Sequence, residues 1–354
     1  MSRLFSSLTI RETEFKNRIF MAPMCQYSCT GGETAEWHLV HYGTRAVGGA
    51  GLIIMEATAV SPEGRISPDD AGIWDDKFIA GLKKITEIIK ANNSVPGIQI
   101  AHAGRKGSVN SEWKGGAPCP VNEGGWIPVA PSPIPFNDSF PLPKELNTSE
   151  IKEIIEKFRL AAQRAVKAGF EVIEIHMAHG YLVHQFLSPL SNKREDEYGG
   201  NLENRCRLSV EIADAVRKEI PSSMPLFVRI SATDWTKHGW DPDQSVELVK
   251  KLKECGVDFI DCSTGGNVYG AVIPVGPGYQ VQFSEKIKEE TGILTGAVGM
   301  ITLPEQAENI IASGAADAVL LGKELLRNPY WPLKAAGKLK SKVEWPKQYL
   351  RARI

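Results

Sequence analysis

The sequence lacks any apolar run of the roughly 20 residues that a membrane-spanning helix needs. Residues 1–15 mix Arg3, Arg11, Glu12 and Glu14 among short apolar stretches, so they lack the continuous hydrophobic segment of a secretory leader. Cysteine is sparse. Cys25, Cys29, Cys119, Cys206, Cys255 and Cys262 are scattered, with no spacing that frames a disulfide scaffold. These absences point to a reducing cytoplasm, with no membrane partner. An excess of one charge is missing too. With 41 basic against 42 acidic side chains and a net charge of −1, nothing electrostatic argues for nucleic acid or an anionic bilayer as partner. No unit recurs along the chain and no tract is of low complexity, which argues against a repeat architecture.

What remains is an ordinary globular composition, 42% hydrophobic and 23% charged over 354 residues. Length alone suggests two domains, yet α/β barrels commonly use this many residues as one. Short apolar runs predict eight strands at 18–24, 52–60, 97–102, 172–176, 226–230, 259–262, 293–298 and 318–321. Most are rich in Val, Ile, Leu and Ala on both faces, as parallel strands covered by helices are. Helical spacing marks 149–168, with Thr148-Ser149 as N-cap, and also 202–219, 243–254, 283–290 and 304–313. Three of these end in a glycine step, at Gly169, Gly256 and Gly314, where a helix C-terminus favours the left-handed conformation. An open dinucleotide-binding sheet needs a glycine-rich turn after its first strand, and Ala22-Pro23-Met24-Cys25 cannot supply one. The expected fold is therefore α/β: a single-domain (β/α)8 TIM barrel over 1–354. The pattern breaks at 115–147, which holds eight prolines and four glycines. With its approach it forms a loop excursion, 107–147, expected over the barrel mouth. The tail, 340–354, is short, basic and aromatic.

In such barrels the reacting groups lie at the C-terminal ends of the strands. Following the eight strands in order gives Cys25, Gln26 and Tyr27; Glu56-Ala57-Thr58; Gln99 and His102; His176-Met177-Ala178-His179-Gly180-Tyr181; Arg229; Ser263-Thr264-Gly265-Gly266; Val298-Gly299-Met300; and Leu321-Gly322-Lys323. That density of polar, titratable and glycine residues at one rim marks an enzyme. Residues three apart on a strand face opposite sides, so His176 and His179 converge only where the strand ends and turns. Two neutral N–H donors aimed at one point could hold a carbonyl oxygen that gains charge, and the Tyr181 phenol could deliver a proton. A metal pair or two structural histidines are the alternatives, although no metal-binding motif surrounds them. Gly299 and Gly322, with Lys323 and Arg327 beyond, stand where barrels often bind phosphate; tight strand-to-helix turns are the plainer explanation. Arg229, a permanent charge in an apolar strand, calls for an anionic or electron-rich partner, or else a buried ion pair with Glu56 or Glu174. Cys25 alone is ambiguous, because free cysteines are often merely buried.

Taken together these residues resemble the Old Yellow Enzyme family, in its subclass with a cysteine beside the flavin. The resemblance runs over essentially the whole chain. It rests on Asn17-Arg18-Ile19 leading into Ala22-Pro23-Met24-Cys25-Gln26-Tyr27, on Gln99-Ile100-Ala101-His102-Ala103-Gly104-Arg105-Lys106, and on His176-Met177-Ala178-His179-Gly180-Tyr181-Leu182. It continues through Phe186-Leu187-Ser188-Pro189-Leu190-Ser191-Asn192, Asp196-Glu197-Tyr198-Gly199-Gly200, Asn204-Arg205-Cys206-Arg207 and Arg229-Ile230-Ser231. It implies a non-covalent FMN across the barrel mouth and NADPH or NADH as hydride donor. By position, Ala22, Pro23, Met24, Cys25 and Ala57 would line the flavin and Gln99 would bond its pyrimidine edge. Arg229 would lie near N1, and Gly299, Gly322 and Lys323 at the phosphate. His176 and His179 match the pair that binds the substrate carbonyl, Tyr181 the proton donor, Tyr27 a second substrate contact, and Cys25 a residue that tunes the flavin potential. Lys323 stands where the family usually has arginine; it keeps a point charge but loses the bidentate fork.

Arg351, in Gln348-Tyr349-Leu350-Arg351, matches an arginine that reaches into the neighbouring subunit's site, which implies a homodimer or homotetramer with shared active sites. The implied activity is ping-pong reduction of activated C=C bonds in α,β-unsaturated carbonyl or nitro compounds, with no metal. One rival is a flavin barrel of the dihydrouridine-synthase type acting on RNA, against which the balanced charge weighs. The other is a flavin redox sensor without turnover.

Overall fold

The computed structural model describes residues 2–353, so Met1 and Ile354, the ends of the expected domain and tail, lie outside the described residues. An antiparallel hairpin, β1 (Leu8–Ile10) and β2 (Thr13–Phe15), comes first. The chain then lays down β3 (Ile19–Met21), β4 (Leu52–Ala59) and β5 (Val95–Ala101). The two-residue strands β6 (Val129–Ala130) and β7 (Lys144–Glu145) follow. Last come β8 (Val172–Met177), β9 (Leu226–Ser231), β10 (Phe259–Ser263), β11 (Leu294–Ala297) and β12 (Ala318–Leu321). Apart from β1, β2, β6 and β7, these strands pair in parallel in chain order, and β12 closes the barrel on β3. The expected barrel is thus the fold. β3 stops three residues short of the expected 18–24, because Pro23 has no N–H with which to continue the ladder.

The helices are α1 (Glu36–Val47), α2 (Ile79–Ala91), α3 (Thr148–Lys167), α4 (Leu182–Leu187), α5 (Leu202–Glu219), α6 (Pro242–Glu254), α7 (Val281–Thr291), α8 (Pro304–Ser313), α9 (Lys323–Arg327) and α10 (Trp331–Lys338). Gly169, Gly256 and Gly314 take positive φ after their helices, as expected. The N-cap of α3 differs from the expected Thr148-Ser149. Asn147 caps it, accepting from Glu150 N–H at 3.0 Å while Glu150 accepts from Asn147 N–H at 2.9 Å. That reciprocal pair satisfies two orphan donors at once, which a Thr148 cap would not.

Alternation along the barrel strands places the site. Ile98, Ile173, Val228 and Ile260 face outward into the main core with the helices. Val172, Phe227 and Phe259 face inward and join Phe20 and the hairpin residues Leu8, Ile10 and Phe15 in one apolar cluster. The Phe227 and Phe259 rings stack there with centroids 4.3 Å apart. Two residues further along each strand the inward position turns polar: Glu174, Arg229 and Asp261, with Gln99 on β5, all buried. Two further on come His176, Ser231 and Ser263. The barrel is therefore sealed with rings at one end and carries buried charge toward the other.

Candidate active site

Burying four polar side chains inside a barrel is unfavourable unless they find partners. Gln99 Nε2 donates to Glu174 Oε1 at 2.8 Å. Arg229 and Asp261 are register partners on β9 and β10, with Nε 3.0 Å from Oδ2, although the approach lacks hydrogen-bond alignment. The ion-pair partner is therefore Asp261, neither Glu56 nor Glu174. For Glu56 the reason is a register shift between Met55 and Thr58, which takes it out of the inward alternation. Burial pushes both the Glu174 and Asp261 carboxyls up, and Asp261 repels Glu174 further, while Arg229 opposes both. The Arg229 side chain makes no hydrogen bond to protein among the described residues, and Glu174 Oε2 is likewise unpartnered. A buried guanidinium with idle N–H donors suits the electron-rich edge of a flavin.

β8 ends at Met177, and the chain turns on positive φ at His179 (59°) and Gly180 (72°). The turn brings the His176 and His179 rings to 5.1 Å at 86°, and Tyr181 to 5.1 Å from His176. Three clips hold it. His179 N–H donates to Ser231 Oγ at 2.9 Å, His179 Nε2 stands 2.7 Å from Ser263 Oγ, and Lys106 Nζ donates to the carbonyls of His179 and Gly266, both at 2.8 Å. A Cβ on Gly180 would stand 2.2 Å from the Gly266 carbonyl oxygen. Gly180→Ala should therefore destabilise the protein by more than about 2 kcal/mol, read as a lowered urea midpoint.

His176 Nδ1 accepts from Ala178 N–H at 3.3 Å, which leaves the proton on Nε2. Burial, and then the Arg229 charge, hold both imidazoles well below the usual histidine range, so both are neutral. Burial also lowers Lys106 to about 8.

Cys25 and Tyr181, half-buried, pack with Phe140 on a cluster that includes Ala57, Ala101 and Ala103. Tyr27 has φ 48° and meets Trp113 edge-on at 5.6 Å. Trp113, Phe136 and Phe140 of the excursion thus lie beside the rim residues; Phe136 stands 5.9 Å from the Tyr269 ring and 4.7 Å from Lys106 Nζ. Ala22 is buried, Pro23 and Met24 half-buried. Met24 Sδ lies 3.5 Å from where a Gly322 Cβ would be, so the ends of β3 and β12 adjoin. Gly299 turns with φ 113°. Lys323 is exposed. Arg327, grouped with it on sequence grounds, is instead drawn 2.9 Å from Glu324 on its own short helix. Arg351 is exposed in the 3-10 turn Lys347–Ala352, whose Tyr349 packs against Tyr330.

Sequence reasoning named Ser263 at the rim and Lys106 and Ser231 within motifs, each without a role of its own, and missed Asp261 altogether. Asp261 could have been found, since it interrupts an apolar strand just as Arg229 does. Among the described residues, no three His, Cys, Asp or Glu side chains are placed to hold a metal, and no helix is long and apolar enough to cross a membrane.

Residues 3–342 match the NADH:flavin oxidoreductase / NADH oxidase family. The chain is 51% identical over 350 residues to an NADPH dehydrogenase of Geobacillus thermodenitrificans (strain NG80-2), with 98% of each chain covered. Among solved structures it is similar to the Old Yellow Enzyme homologue from Zymomonas mobilis, at 28% identity and a TM-score of 0.79, covering 97% of this chain and 94% of that one. It is also similar to 2-naphthoyl-CoA reductase, at 25% identity and a TM-score of 0.87. That likeness covers 95% of this chain, which spans about half (52%) of the length of the reductase. The match runs over nearly the whole chain, which is an enzyme of the NADH:flavin oxidoreductase / NADH oxidase family, of the Old Yellow Enzyme type.

Proposed function

We propose that the chain binds FMN non-covalently at the barrel mouth and reduces activated C=C bonds of α,β-unsaturated carbonyl or nitro compounds, with hydride from NADPH or NADH. The observation that carries this reading is the meeting, at one rim, of a buried guanidinium with idle donors and two neutral imidazoles. The chemistry that a bound FMN would supply is hydride transfer from the nicotinamide to the β-carbon of the second substrate. Ala22, Pro23, Met24, Cys25 and Ala57 would line the ring, Gln99 would meet the pyrimidine edge, and Arg229 would offer its N–H groups to the N1 side. Gly299 and Gly322 would supply backbone to the phosphate, and Lys323 a point charge.

The substrate carbonyl lies between His176 and His179. His176 donates through Nε2. His179 donates through Nδ1 when the Ser263 hydroxyl gives its hydrogen to Nε2, 2.7 Å away. Burial pushes the Tyr181 phenol up, so it keeps its proton until the α-carbon takes it. Tyr27 supports the substrate, the excursion 107–147 walls the mouth, and Arg351 completes the site of a neighbouring subunit in a homodimer or homotetramer.

Purified protein should be yellow and release FMN on heating. NADPH should bleach it without oxygen, and cyclohexenone should restore the colour. A colourless chain that takes up no FMN on reconstitution would overturn the reading.

A further inference from the structure

Glu56 lies on β4, is 0% exposed, and has no part in the chemistry above. Its Oε1 accepts from the Tyr42 hydroxyl at 3.1 Å and stands 3.1 Å from His38 Nε2. His38 and Tyr42 are four apart on α1 and so share one face of it. The Tyr42 hydroxyl in turn accepts from Glu56's own backbone N–H at 3.0 Å, which ties the side chain to its strand. The remaining oxygen, Oε2, accepts from the backbone N–H of Gln26 at 2.7 Å. Gln26 sits between Cys25 and Tyr27, beyond the end of β3, where no ladder holds its amide. Its side chain is latched to the same helix, with Trp37 Nε1 donating to Gln26 Oε1 at 3.1 Å. A carboxylate fully inside the protein with donors on both oxygens is stiff, and losing one donor leaves charge uncompensated.

We propose that Glu56 is a positioning residue: by holding the Gln26 N–H it sets the Cys25-Gln26-Tyr27 turn against the flavin and the substrate. The proposal rests on the flavin placement proposed above. It has an electrostatic consequence as well. Burial raises the Cys25 thiol, and the nearby Asp70 and Glu56 carboxylates and Cys29 add to that, so Glu56 also keeps Cys25 a neutral thiol. Glu56→Gln replaces one acceptor oxygen with NH2. The single carbonyl oxygen left cannot serve both α1 and Gln26.

The test is Glu56→Gln in the holoenzyme, followed by iodoacetamide labelling of Cys25 across pH and by the flavin midpoint potential. Labelling of Cys25 at pH 8 should rise severalfold, because one of the carboxylates that hold the thiol neutral is gone. The midpoint potential should move as well. In a Cys25→Ala background, Glu56→Gln should move the potential far less than in wild type, because the two act through one turn. A lowered melting temperature with wild-type labelling and potential would overturn the proposal, as would strictly additive potentials. If Glu56→Gln does not fold, hydrogen exchange in the wild type decides: the Gln26 amide should be as protected as the barrel strands, and exchange at a free loop's rate overturns the role. A chain that takes up no FMN sinks the proposed function instead. Amide exchange and Cys25 labelling need no flavin and still decide the role of Glu56.

Discussion

His176→Ala and His179→Ala should each retain FMN and be bleached by NADPH, yet reduce cyclohexenone about 10²–10³-fold more slowly, the usual effect of losing one donor to a developing oxyanion. The loss falls on the second half-reaction because only there does an oxygen gain charge between the two rings. Phenols, whose oxygen imitates that charge, should bind wild type with a long-wavelength band that both variants lose. Sensitivity to chelators would point to a metal pair. A lower melting temperature with normal phenol binding would make the histidines structural, and wild-type phenol affinity in either folded variant sinks the carbonyl-holding role.

The neutrality of the rings gives a second readout. Burial and Arg229 hold both folded rings well below their unfolded value of about 6.5. The unfolded chain therefore binds more protons in acid, so their contribution is fully present above about pH 6.5 and is lost as pH falls below it. Each alanine variant should melt with a flatter dependence between pH 7 and pH 5 than wild type.

The barrel was legible because its strands are apolar on both faces and its helices carry clear periodicity. α1 was not, because it buries His38, His41, Tyr42 and Arg45 where aliphatic side chains would have marked its inner face. α2 buries Leu82, Ile85 and Ile89 at helical spacing and could have been read. At the site, polar residues at strand ends were enough to list the rim. They could not supply register. Which charge faces Arg229 depends on Asp261 lying opposite it across β9 and β10, and on a bulge in β4 that no local pattern announces. The same bulge hid Glu56, which simple alternation assigns to the barrel interior and the structure gives to α1. The convergence of His176 and His179 was conditional on a turn between them, and the positive φ of His179 and Gly180 is that turn.

The layer beneath the histidines makes the sharpest demand. Arg229→Ala leaves Glu174 and Asp261 inside the barrel with no counter-charge, since Gln99 offers only one N–H bond to Glu174. Breaking a buried pair in this way costs about 3–5 kcal/mol. The variant should accordingly purify colourless and with a much reduced urea midpoint at pH 8. Both carboxyls are already pushed up in the folded chain by burial. Without Arg229 to oppose that, the folded state binds more protons than the unfolded state, so stability should fall as pH rises and recover toward pH 5, the reverse of the histidine dependence. Arg229→Lys keeps the charge without the fork and should fold well but hold FMN weakly. Arg229→Ala with Asp261→Asn removes one charge of each sign, so the fold should recover while flavin retention does not. That double variant separates the two duties of Arg229, charge balance within the barrel and donation to the ring. Wild-type FMN content in it would show that the guanidinium serves the barrel alone.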